Sequence, residues 1–207
     1  DLRRDISLLA NKELGFLSVA FGPFPSVMSG YTGIARLLAM HPGIKVATHV
    51  AGWREVAQKV AARDVDIGVA EISPVHGNEK FVTEPLEQHR GYFFCRPGHP
   101  ILKRKPIAEK ALFEYPWAAT RMPARIATHM PDILLAAGTI DLASSDFVPA
   151  IELDVPMQLP ELLAGTDVLA IAGLTMMEHA VHAGMAVVVP TRVLPVHANY
   201  RFIYLSD

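Results

Sequence analysis

The stretch GWREVAQKVAARDVDIGVAE, residues 52–71, decides how the chain is read. Trp53, Val56, Ala57, Val60 and Ala61 recur at three- and four-residue steps, with Arg54, Gln58 and Arg63 between them. That spacing predicts an amphipathic helix. The apolar run Ile67-Gly68-Val69-Ala70 follows closely, too short for a second helix and suited to a buried strand. Asp64 and Asp66 bracket its start. Acids suit a tight helix-to-strand turn, where they accept hydrogen bonds from free backbone N–H groups. A catalytic acid pair is the weaker reading. Ligands of open α/β sheets collect at C-terminal strand ends, and this pair stands at an N-terminal end.

The same alternation extends upstream. Phe16–Phe21 reads as a strand, GPFPS at 22–26 as a loop, and Ile34, Leu37 and Leu38 as one face of a helix. Ser26 or Ser29 is the expected cap of that helix, which stops near His41-Pro42-Gly43. Residues 44–50 form the next strand. Strand and helix thus alternate through about 55 residues, the order of parallel strands joined by crossover helices.

After the polar loop SPVHGNEK the pattern restarts. A short strand is expected around Phe81-Val82 and Leu86, and a longer one at 91–95. A second α/β series follows: a strand at 117–119, a helix across 126–137 interrupted by Pro131, and strands at 150–153, 167–172 and 186–189. A helix is expected at 157–164, and another capped by Thr175 with Glu178 closing a capping box. Tyr200–Tyr204 is the last strand. Two series joined near residues 90 and 195 imply two α/β lobes.

The 207 residues carry 19 basic and 21 acidic side chains, for a formal charge of −2. That balance excludes a basic nucleic-acid surface. KRKP at 103–106 is a short solvated run. The single cysteine, Cys95, excludes an intrachain disulfide and reads as a small buried apolar residue. His179 and His182 stand three apart beside Glu178, yet no HExxH or cysteine cluster accompanies them, so no metal is expected. Phosphate-binding and dinucleotide glycine motifs are missing, as is a nucleophile elbow, so neither cofactor nor catalytic residues are expected. No secretory signal or membrane-length apolar run is present. The chain opens without Met on a polar segment, which fits a fragment or a processed chain.

Three junctions follow a strand and precede a helix: Pro23-Phe24-Pro25-Ser26 after Gly22, Gly52-Trp53-Arg54, and Arg121-Met122-Pro123. Each would offer helix-start N–H groups to a ligand, which favours a carboxylate or phosphate. Arg54 and Arg121 would add charge, and Phe24, Trp53 and Met122 apolar walls. The alternative is that Phe24 and Trp53 are core residues and the serines only cap.

Several passages together resemble the effector-binding half of LysR-type transcriptional regulators. Leu14–Val19 resembles the opening strand after the interdomain linker, and His41-Pro42-Gly43-Ile44-Lys45-Val46 the family's "HP" passage. Arg63-Asp64-Val65-Asp66-Ile67-Gly68-Val69 resembles its "G-x-hydrophobic-D-hydrophobic-G" strand, with Arg63 replacing the usual Gly. Glu84-Pro85-Leu86, Arg96–Ile101, Tyr115-Pro116-Trp117, 162–172 and Gly184–Pro190 follow in the family's order, so the likeness covers 14–205.

The resemblance implies a two-lobed fold like that of type 2 periplasmic binding proteins. It assigns 1–13 to a linker remnant, 14–88 to the first part of lobe I, 89–193 to lobe II and 194–207 to the return strand. It implies a cytoplasmic ligand sensor, not an enzyme, that binds a small anionic or aromatic effector at the three junctions above. It implies a homodimer or tetramer paired through Ile34, Leu37, Leu38 and Met40, no membrane contact, and DNA binding only through an N-terminal winged helix-turn-helix outside this chain. The family usually has a terminal helix after the last strand, where this sequence stops; GPFPS is unusually proline-rich for the first effector loop, and Trp53 is bulky where the family commonly has a small hydroxyl residue. The rival with the same fold is an export-associated solute-binding protein. An enzyme is the third class, and the chain lacks a coherent acid, base and nucleophile set.

Overall fold

The structure, a computed structural model, describes residues 15–87, 89–131, 133–154, 156–191 and 197–206. The expected linker remnant at 1–13 lies outside them, as do residues 192–196.

In chain order the elements are β1 (Phe16–Phe21), α1 (Pro23–Pro25), a π-helical segment (Ser26–Gly30), α2 (Tyr31–Met40), β2 (Lys45–Val50), α3 (Trp53–Ala61), β3 (Ile67–Glu71) and β4 (Phe81–Pro85). Then come β5 (His89–Arg90), β6 (Tyr92–Cys95), a 3-10 turn (Pro100–Lys103), α4 (Glu109–Leu112), β7 (Trp117–Ala119) and α5 (Ala124–Ala127). The chain continues through β8 (Gly138–Ile140), β9 (Phe147–Pro149), β10 (Ile151–Glu152), α6 (Leu159–Leu163), β11 (Leu169–Ala172) and α7 (Leu174–His182). It ends with β12 (Val187–Val188), β13 (His197–Ala198) and β14 (Tyr200–Leu205). Two compact units result: Gln88–Ala198, and the residues before it together with those from Asn199 onward.

The first unit holds one sheet ordered β2-β1-β3-β14-β4. β1 runs parallel to β2 and β3, while β14 is antiparallel to β3 and β4. Side chains alternate across β1, so Leu17, Val19 and Phe21 pack with Ile44, Ile67 and Val69 on one face, backed by Ile34 and Leu37 of α2. Ala20 and Ala70 face the other way, onto Trp53, Val56, Ala57 and Val60 of α3. Gly68 permits that approach, because a Cβ there would meet Val56 Cγ1 at 2.8 Å.

Asp66 performs the structural task expected of a turn acid. Its carboxylate accepts from the Ser18 amide (2.7 Å) and hydroxyl (2.9 Å), and its own N–H donates to the Ser18 carbonyl (3.0 Å). The turn is thereby fixed to β1, and no catalytic pairing with Asp64 is needed to explain it. Arg63, where the family usually has Gly, sits at φ 59°, a left-handed conformation that glycine adopts without steric cost.

The second unit repeats the plan, ordered β10-β7-β11-β6-β12, with β7 parallel to β10 and β11 and β6 antiparallel to β11 and β12. Trp117 is fully buried at its centre, with ring centroids of Phe113, Phe93 and Phe147 at 4.6, 4.9 and 5.3 Å. Its indole N–H donates to the Leu112 carbonyl at 2.8 Å.

Three expectations need correction. The long helix across 126–137 is only the four-residue α5, followed by turns and an unforeseen β8–β9 hairpin. Thr175 does not cap α7; Gly173 does, with no side-chain hydrogen bond, and Leu174 is already helical. Neither Ser26 nor Ser29 caps a helix. Pro23 starts α1 directly, and the Ser26 hydroxyl donates back to the Pro23 carbonyl at 2.7 Å. Proline is favoured at a first helical position because its fixed φ suits the helix and the N–H it lacks would have had no intrahelical partner.

His99 caps the 3-10 turn, its Nδ1 accepting from the Ile101 amide at 3.0 Å. It is fully buried and stacks edge-on against Tyr115. Burial holds its pKa below the ordinary 6.5, with Arg96 adding to that direction and Asp167 opposing it. A depressed folded pKa means that the unfolded chain binds the proton first. Stability from this site is therefore complete above about pH 6.5 and declines as pH falls from there toward the folded value. His99→Asn keeps a capping acceptor and removes the titration. Urea midpoints measured between pH 7.5 and 5 should fall less steeply in that variant than in the unsubstituted chain; equal slopes would assign the decline to other groups.

Candidate functional site

All three expected ligand junctions leave the C-terminal end of a parallel strand in their own sheet: 23–26 after β1, 52–54 after β2, and 121–123 after β7. By the same rule two further junctions qualify that the sequence reading passed over. One is Gly173-Leu174, between β11 and α7, and the other is Glu71 to Ser73, at the end of β3. Glu71 is buried, accepting from the Ser73 hydroxyl (3.0 Å) and the Asn199 amide (3.2 Å). An acid closing a wholly apolar strand was the available signal.

In the first unit, Phe24 and Pro23 are half-buried, while Pro25 and Ser26 are buried. Trp53 is 8% exposed and belongs to the core beneath α3. The Arg54 guanidinium stacks over its indole, 4.2 Å from the ring centroid. Gly52 is exposed and caps α3 without a side chain.

In the second unit, Met122 and Pro123 are buried, and Met122 packs into the core while its backbone pairs with Phe147. Arg121 is half-buried and ion-paired with two carboxylates. Its Nε and Nη2 donate to the two oxygens of Glu152 (3.0 and 3.3 Å), and its Nη1 to Asp141 (3.1 Å). These partners hold the guanidinium proton more tightly, Glu152 foremost. Asp141 lies below the usual carboxylate range, chiefly through the Ser144 and Ala143 amides and then through Arg121. Asp146, fully buried, accepts from the Ala124 amide at the start of α5 (3.1 Å).

At this junction the chain's own carboxylates already engage Arg121 and the Ala124 amide. Sequence reading missed Asp141, Asp146 and Glu152 because their partners lie 20 to 31 residues away.

Of the expected pairing residues, Ile34 and Leu37 pack partly against their own sheet, while Leu38 and Met40 are 37% and 67% exposed. Tyr31 is also exposed, and α2 has no buried residue. Among the described residues no group of three or more His, Cys, Asp or Glu is placed to hold a metal, and no helix is long and apolar enough to cross a membrane.

The description "LysR substrate binding domain" matches residues 24–207. The chain is 30% identical over 185 residues to the SDS degradation transcriptional activation protein of Pseudomonas sp. (strain ATCC 19151), covering 88% of this chain and 58% of that protein. It therefore spans just over half the length of that relative. The regulatory domain of CrgA, a LysR-type regulator from Neisseria meningitidis, superposes with a TM-score of 0.65 at 14% identity, covering 94% of this chain and 90% of that one. The cofactor-binding domain of the Cbl transcriptional regulator gives 0.70 at 14% identity, covering 94% and 82%. These likenesses confirm the α/β, type 2 periplasmic-binding-protein-like fold. With paired sheets of one topology and a family match across most of its length, the chain belongs to the LysR-type regulators, as their effector-binding regulatory domain.

Proposed function

We propose that this chain senses a small molecule on behalf of a DNA-binding domain elsewhere in the same protein. The effector has an aromatic or otherwise apolar body. Its contacts are strand-end junctions within each unit: Phe24 and its neighbours and the Gly52-Trp53-Arg54 turn in the first, and Arg121-Met122-Pro123 in the second. One observation carries this reading: all three junctions stand at C-terminal ends of parallel strands, where open α/β sheets receive ligands. Binding favours one arrangement of the units or of a dimer, and only the difference in affinity between arrangements moves the switch. A homodimer forms through α2, which leaves Tyr31, Leu38 and Met40 exposed. The curated relatives are transcriptional regulators, which supports this reading over the export-associated one.

The test is calorimetric titration with compounds found by a thermal-shift screen. The screen includes aromatic and aliphatic acids, alcohols and amides, and short alkyl sulfates, the last because one relative is named for SDS degradation. Phe24→Ala should weaken a hit about tenfold, an aromatic contact worth roughly 1.4 kcal/mol. Met185→Ala, on a separate hollow of about 520 Å³ lined also by Arg96 and Pro160, should leave it unchanged. The reverse ranking would move the site to that hollow.

A further inference from the structure

β3 of the first unit begins just after one acid and ends on another. Asp66, before its start, is bonded to Ser18 of β1 in the same sheet. Glu71, its last residue, is 5% exposed and accepts from the Ser73 hydroxyl at 3.0 Å and from the Asn199 amide at 3.2 Å. The sheet does not need an acid there. The ladder between β3 and β14 already pairs Glu71 with Tyr200 through the backbone. An apolar side chain would close the strand, as the four residues before it do, without the cost of burying a polar group. The carboxylate instead reaches one residue past the ladder, to Asn199. That residue is where the chain re-enters the first unit, since the second unit spans Gln88–Ala198.

The chain passes between the units twice, at Glu87–Gln88 and at Ala198–Asn199. The two passages run side by side. The Leu86 amide donates to the Tyr200 carbonyl at 3.1 Å, and His89 and Arg90 of β5 pair antiparallel with Ala198 and His197 of β13. A ribbon of two such short strands is marginal by itself. We infer that Glu71 is a latch on the return passage: bonded to Asn199 it restrains the motion of the second unit, and released it frees that motion. Glu71 is a positioning residue in this role and acts through Asn199. The same strand also holds the first junction, because the Gly22 amide donates to the Val69 carbonyl at 2.8 Å. A ligand moves an equilibrium only by favouring one of two existing states, and the latch supplies two. Its bearing on the effector response rests on the proposed reading of the Gly22–Ser26 junction; the latch itself does not.

The test uses the 207-residue chain without effector and takes two NMR readouts: solvent exchange of the Asn199 amide, and the alignment tensor of each unit from residual dipolar couplings. Glu71→Ala should speed exchange at Asn199 about tenfold, the factor for losing one hydrogen bond. It should also widen the difference between the two tensors relative to the unsubstituted chain, the mark of units that move more independently. Glu71→Gln, which keeps one acceptor oxygen, should shift both readouts the same way by less, and it decides the matter should Glu71→Ala fail to fold. Asp66→Ala is the matched control. It removes a carboxylate with two donors from the other end of the same strand, so it should lower the urea midpoint and leave both readouts unchanged. Unchanged exchange at Asn199 overturns the latch. Faster exchange with an unchanged tensor difference also overturns it, by reducing Glu71 to a local structural role. Equal widening in Asp66→Ala does the same, by tracing the freedom to lost stability. None of these outcomes touches the effector junctions, which the calorimetric titrations test separately.

Discussion

Trp117→Ala will lower the stability of the second unit by about 3–5 kcal/mol, the range for deleting a large aromatic ring from a packed core. The ring is wholly enclosed, with three aromatic neighbours and its N–H bonded to Leu112. Phe93 and Phe147 cannot collapse into the space without leaving β6 and β9, and only Phe113, at the end of α4, lies outside a strand. Against a typical domain stability of about 5–15 kcal/mol the loss is large. The measurement exploits the chain's two tryptophans, Trp53 in one unit and Trp117 in the other. In the variant, Trp53 fluorescence follows the first unit, while circular dichroism follows both. The dichroism transition in urea should split, with an early phase missing from fluorescence. Trp117→Phe, which keeps a ring but loses the N–H, should cost much less. A single coincident transition displaced by under about 1 kcal/mol would show that the ring is not the centre of this core.

That core was only partly visible in the chain's own letters. β1, β2, α3 and β3 were legible because their periods are clean and because glycine and proline punctuate them. Residues 126–137 were not. Their apolar density suggested a helix, yet α5 stops at Ala127, and Leu135 adopts a positive φ of 46°, which no helix tolerates. The hairpin beyond was missed because its strands have only three residues each, too few for alternation to register. The strand-end junctions were legible for a topological reason, since strand ends can be read once strands are. Their electrostatics were not. Pro23 and Pro25 looked like strand breakers, and only the helical geometry reveals that they remove two N–H donors. Arg121 looked like available charge, because nothing local announces Asp141 or Glu152. Thr175 failed by a narrow margin: Gly173 occupies the cap, so the hydroxyl falls inside the helix.

Gly138→Ala tests the packing of this hidden hairpin. A Cβ at Gly138 would overlap the Val148 carbonyl oxygen and lie 2.8 Å from Phe147 Cζ and 2.9 Å from Pro149 Cα. Two of those three atoms are backbone, so no rotamer change relieves the contact, and β8 must shift against β9. Overpacking typically costs about 1–3 kcal/mol, and a clash with backbone belongs at or above the top of that range. The shift propagates along the register, in which Gly138 faces Pro149 and Ile140 faces Phe147. Asp141 follows β8 directly and bonds through its amide to the Asp146 carbonyl. Displacing this pair loosens the Asp141 contact to Arg121 and the Asp146 contact to α5. The variant should therefore unfold at lower urea. Thr139→Ala, at the neighbouring exposed position, should move stability by no more than about 0.5 kcal/mol. A Gly138→Ala chain with an unchanged urea midpoint would show that the hairpin can open without cost.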